Sequence, residues 1–280
     1  MRPGETLNSD ARAVKCGGKG LNQSIALARA GATVGHASCI GEGGGPLRAL
    51  LEENGVDTAH LTSVDEMQGH AIIQVNREGE NCILLYGGSN RCVSEAQIEE
   101  TLSSLEDGDW LVLQNEINNL PSIVDTAYDR GVVIALNPSP YDAQLDAMDF
   151  SKLSWLLVNE VEARQISGSD DPQADWEWLH ERYPSLSALI TLGGAGSVAF
   201  TPDGACVRQE AFRVKAVDTT AAGDTYTGYF IAGLMAGVPL QDCMRRASRA
   251  SPSASLGPAR PSPYPWLERW NMRAERQSNA

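Results

Sequence analysis

The chain has 280 residues, enough for one large α/β domain or two small ones, and its 42% hydrophobic content can fill a sizeable core. There are 36 acidic residues against 22 basic ones, a net charge of −14 with no basic patch, which argues against nucleic acid as a partner. No apolar span reaches membrane length, no signal peptide is legible, and none of the six cysteines forms a C-x-x-C pair or a zinc-like cluster with histidine, so the expectation is a cytoplasmic protein with reduced thiols and no membrane partner.

In chain order, Met1 to Thr6 reads as a loop and Leu7 to Cys16 as a modest strand. Gly17 to Gly20 is a glycine turn, which lets a ligand approach the backbone closely. Asn22, Ile25, Ala26, Leu27 and Ala30 then recur at helical spacing until Gly31. Lys19 and Asn22 carry donors suited to hydroxyl groups, although a glycine turn alone is often no more than a flexible connection. No Ser or Thr follows Lys19, so the turn is not a Walker-type phosphate loop. Thr33 to Ile40 reads as a strand, and Pro46 to Asn54 as a helix stopped by Gly55. His70 to Val75 and Asn81 to Tyr86 flank the polar segment 76–80 as a hairpin, with Ala71, Ile73 and Val75 on one face and Ile72 and Gln74 on the other.

From Trp110 onward strand and helix alternate. Trp110 to Gln114, Val132 to Leu136, Trp155 to Val158 and Ala188 to Leu192 read as strands; Leu120 to Asp129, Glu160 to Ser167 and Pro172 to Tyr183 read as helices. Such alternation predicts parallel strands with crossover helices, and ligands in such sheets sit beyond the carboxyl ends of the strands. Polar residues recur there: Glu116, Asn137, Asn159 and Thr191 each follow or end a strand, the mark of one shared cleft.

Val214 to Val217 has strand character, and Tyr226, Tyr229, Phe230, Leu234 and Met235 recur at helical spacing up to Gly237. Between them, Asp218-Thr219-Thr220-Ala221-Ala222-Gly223-Asp224 is a strand-to-helix turn of small residues. A helix N-terminus leaves N–H groups unpaired and carries the positive end of the dipole, a site for phosphate. A carboxylate at its mouth repels phosphate unless it has a chemical task. The obvious task for Asp224 is to take a proton from a hydroxyl that attacks phosphorus. The alternative is that Asp218 or Thr220 caps the helix and Asp224 only favours its positive end. Beyond Ser251 the chain is too rich in Pro, Ser and Gly to continue as a helix.

The turn from Asp218 to Asp224 resembles the C-terminal signature of the ribokinase family of carbohydrate kinases. Gly17-Gly18-Lys19-Gly20-Leu21-Asn22-Gln23 resembles its sugar-binding signature, and Asn159-Glu160-Val161-Glu162 its Asn-x-x-Glu motif. The likeness runs in register from Pro3 to about Gln241. It implies an α/β fold with a mostly parallel central sheet flanked by helices, a single domain over residues 1–280, and a small β-sheet lid from strands at about 4–16 and 66–92. In the family such a lid closes over the sugar and often makes a homodimer contact. The implied reaction is ATP-dependent phosphorylation of a sugar's primary hydroxyl, D-ribose to D-ribose 5-phosphate first among the candidates. Another sugar or nucleoside of the same family, or a catalytically impaired sugar- or nucleotide-binding remnant, are the alternatives.

The resemblance also implies roles. Asp224 would be the base, with the N–H groups of Ala222, Gly223 and Asp224 holding the transferring phosphoryl group. Gly17, Gly18, Lys19, Gly20, Asn22 and Glu116 would bind the sugar. Asn159 would face the nucleotide phosphates, Glu162 would organise Mg²⁺ through water, and Thr191-Leu192-Gly193-Gly194-Ala195-Gly196 would lie beside the ATP ribose and adenine. Asp218 and Thr220 resemble ligands of a K⁺ ion. The sequence departs from the family pattern twice. The family has a further strand ahead of Pro3-Gly4-Glu5-Thr6, ending in an Asp that grips sugar hydroxyls, so a gap or an exposed edge is expected in the main sheet. Between Arg249-Ala250 and Pro265-Trp266 the register is lost, which bears on the adenine pocket and part of the cation site, with Ser248 and Gly257 the nearest aligned positions.

Overall fold

The computed structural model describes residues 6, 9–75, 81–142, 145–212 and 221–251. The described chain opens with α1 (Lys19–Arg29), β1 (Ser38–Glu42), α2 (Gly45–Glu53) and β2 (Leu61–Met67). The hairpin β3 (His70–Val75) and β4 (Asn81–Tyr86) follows, then α3 (Glu95–Ser103). The alternating part runs β5 (Trp110–Gln114), α4 (Leu120–Asp129), β6 (Val133–Asn137), β7 (Trp155–Asn159), α5 (Glu160–Ser167), α6 (Pro172–Arg182) and β8 (Ser187–Thr191). It closes with β9 (Ser197–Phe200), β10 (Cys206–Gln209), α7 (Ala222–Met235) and α8 (Leu240–Ala250).

The main sheet has six strands in the order β10-β9-β8-β7-β6-β5, parallel from β5 to β8 and antiparallel from β8 to β10. The apolar runs of β7 and β8 are buried because helices cover both faces of the sheet. Side chains alternate between the faces, and each face has its own core. Leu136, Leu156 and Ile190 pack with residues of α3 to α6, such as Leu102, Val124 and Trp176. Ala135, Leu157 and Leu189 pack with Ile25 of α1, Phe230 of α7 and Met244 of α8. Phe230 is fully buried and meets Trp155 edge-on at 5.2 Å between ring centroids. Local signals set the ends of elements. Asn159 and Glu162 form a capping box at the start of α5, and Gly168 at φ 82° ends it. The helices α1 and α7 cross closely at Gly228, where a Cβ would lie 2.5 Å from Ala26 Cβ and 2.9 Å from Leu27 N.

Two small sheets lie outside the main one. β1 and β2 form a parallel pair, and β3 and β4 an antiparallel hairpin. The hairpin shows apolar side chains on both faces, with Ile72, Ile73, Leu84 and Leu85 each at least 50% exposed. No helix among the described residues is long and apolar enough to cross a membrane.

Residues 9–16 correct the strand expected there, and with it that share of the expected lid. They form no strand and pair with no described strand, and Val14 is 82% exposed. A strand is held by a neighbour's hydrogen bonds, and among the described residues β3 and β4 bond only each other. The strand expected over Thr33 to Ile40 begins later. Gly35 makes one isolated bridge to Asp57, and the ladder with β2 starts at Ser38. Among the described strands β5 stands last in the order of the main sheet, and its Trp110, Leu111 and Val112 are only partly buried.

Candidate active site

The first turn of α7 starts from Ala221, whose side chain makes no capping bond. Ala222, Gly223 and Asp224 therefore begin a helix whose first N–H groups have no side-chain cap at that position. A Cβ placed on Gly223 would meet nothing within 4 Å, so open space lies beside this backbone. Asp218 and Thr220 lie outside the described residues, as does Gly257.

The close crossing of α1 and α7 brings two distant motifs together. Asn22 Nδ2 donates to Asp224 Oδ2 at 2.8 Å, and Gln23 Nε2 donates to Asp224 Oδ1 at 3.0 Å. Gln114 Nε2, at the end of β5, donates to Gln23 Oε1 at 2.7 Å, so the carboxylate is oriented from the sheet through two amides. Each carboxylate oxygen keeps a lone pair for a further donor. Asn22 Oδ1 is buried without a partner. An acceptor in that state costs about 1–3 kcal/mol unless a ligand hydroxyl or water satisfies it.

Glu116 sits opposite. Its Oε2 accepts from Lys19 N at 2.8 Å, capping α1, whose own N-cap residue Gly18 has no side chain to do so. Burial pushes the Glu116 carboxyl above the usual carboxylate range; the Lys19 N–H and charge pull it back, and the negative Asp224 adds to the rise. Gly18 takes φ 113°, a conformation that favours glycine, and a Cβ there would lie 3.7 Å from Glu116 Oε2. A Cβ on Gly17 would meet nothing, so the loop is open toward the cleft. Gly20 instead packs inward, against Gln114 Oε1 and His36 Cε1. Burial pushes the His36 imidazole down to about 4, and its Nδ1 pairs with Ser24 Oγ at 2.8 Å.

Asn159 and Thr191 are register partners at the ends of β7 and β8, and Gln114 and Asn137 stand in the same relation on β5 and β6. The polar residues thus line one edge of the sheet. Gly193 and Gly194 face open space, while Gly196 at φ 101° would drive a Cβ to 2.0 Å from Gln209 O. Gly196 therefore serves the packing of the turn. Leu192 packs against the core, and Ala195 closes the turn with N donating to Leu192 O at 2.9 Å. Glu162 is buried, and its Oε2 accepts from Asn159 N at 3.0 Å, so its carboxylate is partly engaged by the capping box. That leaves it suited to contact through water rather than to direct ligation. No cluster of three or more His, Cys, Asp or Glu side chains able to hold a metal occurs among the described residues.

The sequence matches the family described as pfkB family carbohydrate kinase over residues 3–254. The chain belongs to the pfkB family of carbohydrate kinases. It is 33% identical over 260 residues to the ribokinase of Haemophilus influenzae, covering 89% of this chain and 84% of that one. It is 29% identical over 282 residues to the deoxyribokinase of Salmonella typhi, covering 96% and 91%. Among solved structures it is similar to the ribokinase of Cryptococcus neoformans var. grubii in complex with ADP, with TM-score 0.78, 33% identity and 90% and 86% coverage. It is thus a sugar kinase of the ribokinase family with the ribokinase-like α/β fold.

In this kinase Gly17, Gly18, Lys19, Asn22, Glu116 and Asp224 come together at one end of α1 and α7. Ser248 does not come to an open surface. It is buried in α8, and its hydroxyl donates to Glu210 O at 3.3 Å. Sequence reasoning missed Gln23 and Gln114 as the residues that orient Asp224. The available signal was an amide directly after Asn22 and another closing the apolar run of β5. Glu116→Gln is expected to weaken sugar binding more than nucleotide binding, because it removes a negative acceptor beside the glycine loop while Asn159 and Thr191 are untouched. Titration calorimetry with each ligand checks this; an unchanged sugar affinity would remove Glu116 from the sugar site.

Proposed function

We propose that this kinase transfers the γ-phosphoryl group of ATP to the primary hydroxyl of a pentose, converting D-ribose to D-ribose 5-phosphate. The observation that carries the reading is the Asp224 carboxylate in the first turn of α7, whose N-cap Ala221 has no capping side chain, held by Asn22 and Gln23 directly after the open glycine loop. Asp224 takes the hydroxyl proton as the sugar oxygen bonds to the γ-phosphorus. The bond from that phosphorus to the β–γ bridging oxygen breaks, and ADP leaves with the electron pair. The N–H groups of Ala222, Gly223 and Asp224 stabilise the charge on the transferring group. Glu116, Lys19 and the unpaired Asn22 Oδ1 fix the sugar hydroxyls.

Asn159 and the turn at Gly193-Gly194 border the nucleotide, the turn lying beside its ribose and adenine. Glu162 would hold Mg²⁺ through water, and the ion would neutralise phosphate charge; Asp218 and Thr220 would hold K⁺ beside the phosphate turn. The exposed apolar faces of β3 and β4 fit a lid over the sugar and a homodimer contact, and the protein works in the cytoplasm. ADP-bound and ribose-acting relatives support this reading. The deoxyribokinase relative makes 2-deoxyribose the second substrate to try. A coupled ADP-release assay with ribose, 2-deoxyribose, fructose and adenosine separates the candidates, and ribose is expected to give the highest kcat/KM. Turnover is also expected to require Mg²⁺ and to rise when Na⁺ is replaced by K⁺. Equal rates in the two monovalent salts would remove the K⁺ role.

A further inference from the structure

Glu116 stands in the loop 115–119 between β5 and α4, and every residue of that loop is held by a group from elsewhere in the chain. Asn115 Nδ2 donates to Pro140 O at 2.6 Å, and Glu116 itself accepts from Lys19 N. Asn118 clasps Val93 with both ends of its amide: Oδ1 accepts from Val93 N at 3.0 Å, and Nδ2 donates to Val93 O at 2.8 Å. Asn119 is the N-cap of α4, yet its side chain makes no capping bond and donates instead to Val93 O at 2.9 Å. Its φ of 62° lies in the left-handed region, which asparagine tolerates better than most residues. Val93 is buried in the same core as Ile98 and Leu120, so this clasp fixes the far end of the loop to the body of the fold. The near end is held by Arg91, whose Nη1 donates to Ile117 O at 2.9 Å, one residue after Glu116.

Arg91 also touches the neck of the β3–β4 hairpin. Its stem lies over Gly87, where a Cβ would stand 2.7 Å from Arg91 Cγ. The chain enters the hairpin at Gly69 and leaves it at Gly87 and Gly88, and the two legs are tightly packed. A Cβ on Gly69 would lie 2.5 Å from Gly87 O, and one on Gly88, at φ 47°, would lie 2.4 Å from Met67 O. The buried Ser89 closes the neck, its Oγ accepting from Gly69 N at 3.3 Å. We propose that Arg91 is a positioning residue of the sugar site, bracing the Glu116 loop against the hairpin neck so that the neck sets where the carboxylate stands. The proposal rests on the reading that Glu116 binds the sugar. Arginine suits the task, because its aliphatic stem packs on a glycine while its planar guanidinium donates in a fixed direction. Without the brace the backbone between Asn115 and Asn118 relaxes, and the carboxylate leaves its line on the Lys19 N–H and on the sugar hydroxyls. A misplacement of about 1 Å can cost on the order of a hundred-fold.

A double-mutant cycle read by ADP release with D-ribose as substrate tests this. Arg91→Met keeps the stem over Gly87 and removes the donor to Ile117 O. It is expected to raise the KM for ribose about ten-fold, with the KM for ATP and the melting temperature unchanged. In the Glu116→Gln background the same change is expected to move the ribose KM by less than about two-fold, because the carboxylate that it positions is gone. Gly87→Ala displaces the Arg91 stem without straining the backbone, since Gly87 has helical angles, φ −68° and ψ −43°. It is expected to raise the ribose KM about three-fold, and to add nothing to Arg91→Met. An unchanged ribose KM in Arg91→Met, an equal loss for ribose and ATP, or a full loss in the Glu116→Gln background would each overturn the proposal. Additive effects of Gly87→Ala and Arg91→Met would do the same, since the neck would then act by another route. An unchanged ribose KM in Glu116→Gln alone is a separate result, which removes the sugar role of Glu116 and the proposal with it.

Discussion

Asp224→Asn is expected to lower turnover by about a hundred-fold to ten-thousand-fold, the usual loss for one general base, while the protein stays folded and binds both substrates. The amide is nearly isosteric and takes no proton. Its NH₂ would face the amide of Asn22 or Gln23, which now donate to the carboxylate. Asn22 can turn its side chain over without losing a bond to the protein, because its Oδ1 has no partner there, and its NH₂ then donates to the sugar hydroxyl in place of the acceptor. The local network thus has a way to accept the change, and the loss falls on the chemical step. Steady-state kinetics with a melting curve checks this. A variant with near-wild-type kcat would show that another group takes the proton.

Gly228→Val is expected to damage both stability and activity, although residue 228 is on the second turn of α7. Its Cβ would sit 2.5 Å from Ala26 Cβ and 2.9 Å from Leu27 N, and the latter is backbone that cannot rotate away. The two helices must separate. Overpacking of this kind costs about 1–3 kcal/mol, and a domain of this size loses roughly 2–4 °C of melting temperature per kcal/mol. The same separation pulls Asn22 and Gln23 off Asp224, so kcat falls with it. Differential scanning calorimetry and the coupled assay read the two effects. An unchanged melting temperature would mean that the crossing is looser than the structure has it.

The sequence was most informative where an element is decided by its own residues. β5 and α4 are legible to the residue, one from an apolar run and the other from periodicity ended before Gly131; α5 is legible too, ending at Ser167 before Gly168. It was least informative where an element depends on a partner. Residues 9–16 have enough apolar character for a strand but bond no described strand, and β2 and β10, whose side chains are largely exposed, carry little hydrophobic pattern. In the site, Asp224, Glu116 and the glycine loop stood out because carboxylates and glycines at the ends of elements are chemically conspicuous. Gln23 and Gln114 did not, since a glutamine becomes informative only when its hydrogen-bond partner, 201 residues away in the case of Gln23, is known. Ser248 was placed by register alone, and packing of α8 against β10 turned its hydroxyl toward Glu210 O.

The amide of Gln114 has a consequence for how this enzyme responds to strain. It belongs to the last of the described strands in the main sheet, yet through Gln23 it sets the direction in which Asp224 points. Fraying of that strand by one residue would swing the proton acceptor without touching the helix that bears it. Catalytic rate should therefore fall before global unfolding begins as denaturant is added, and the kinase becomes its own gauge of the sheet margin.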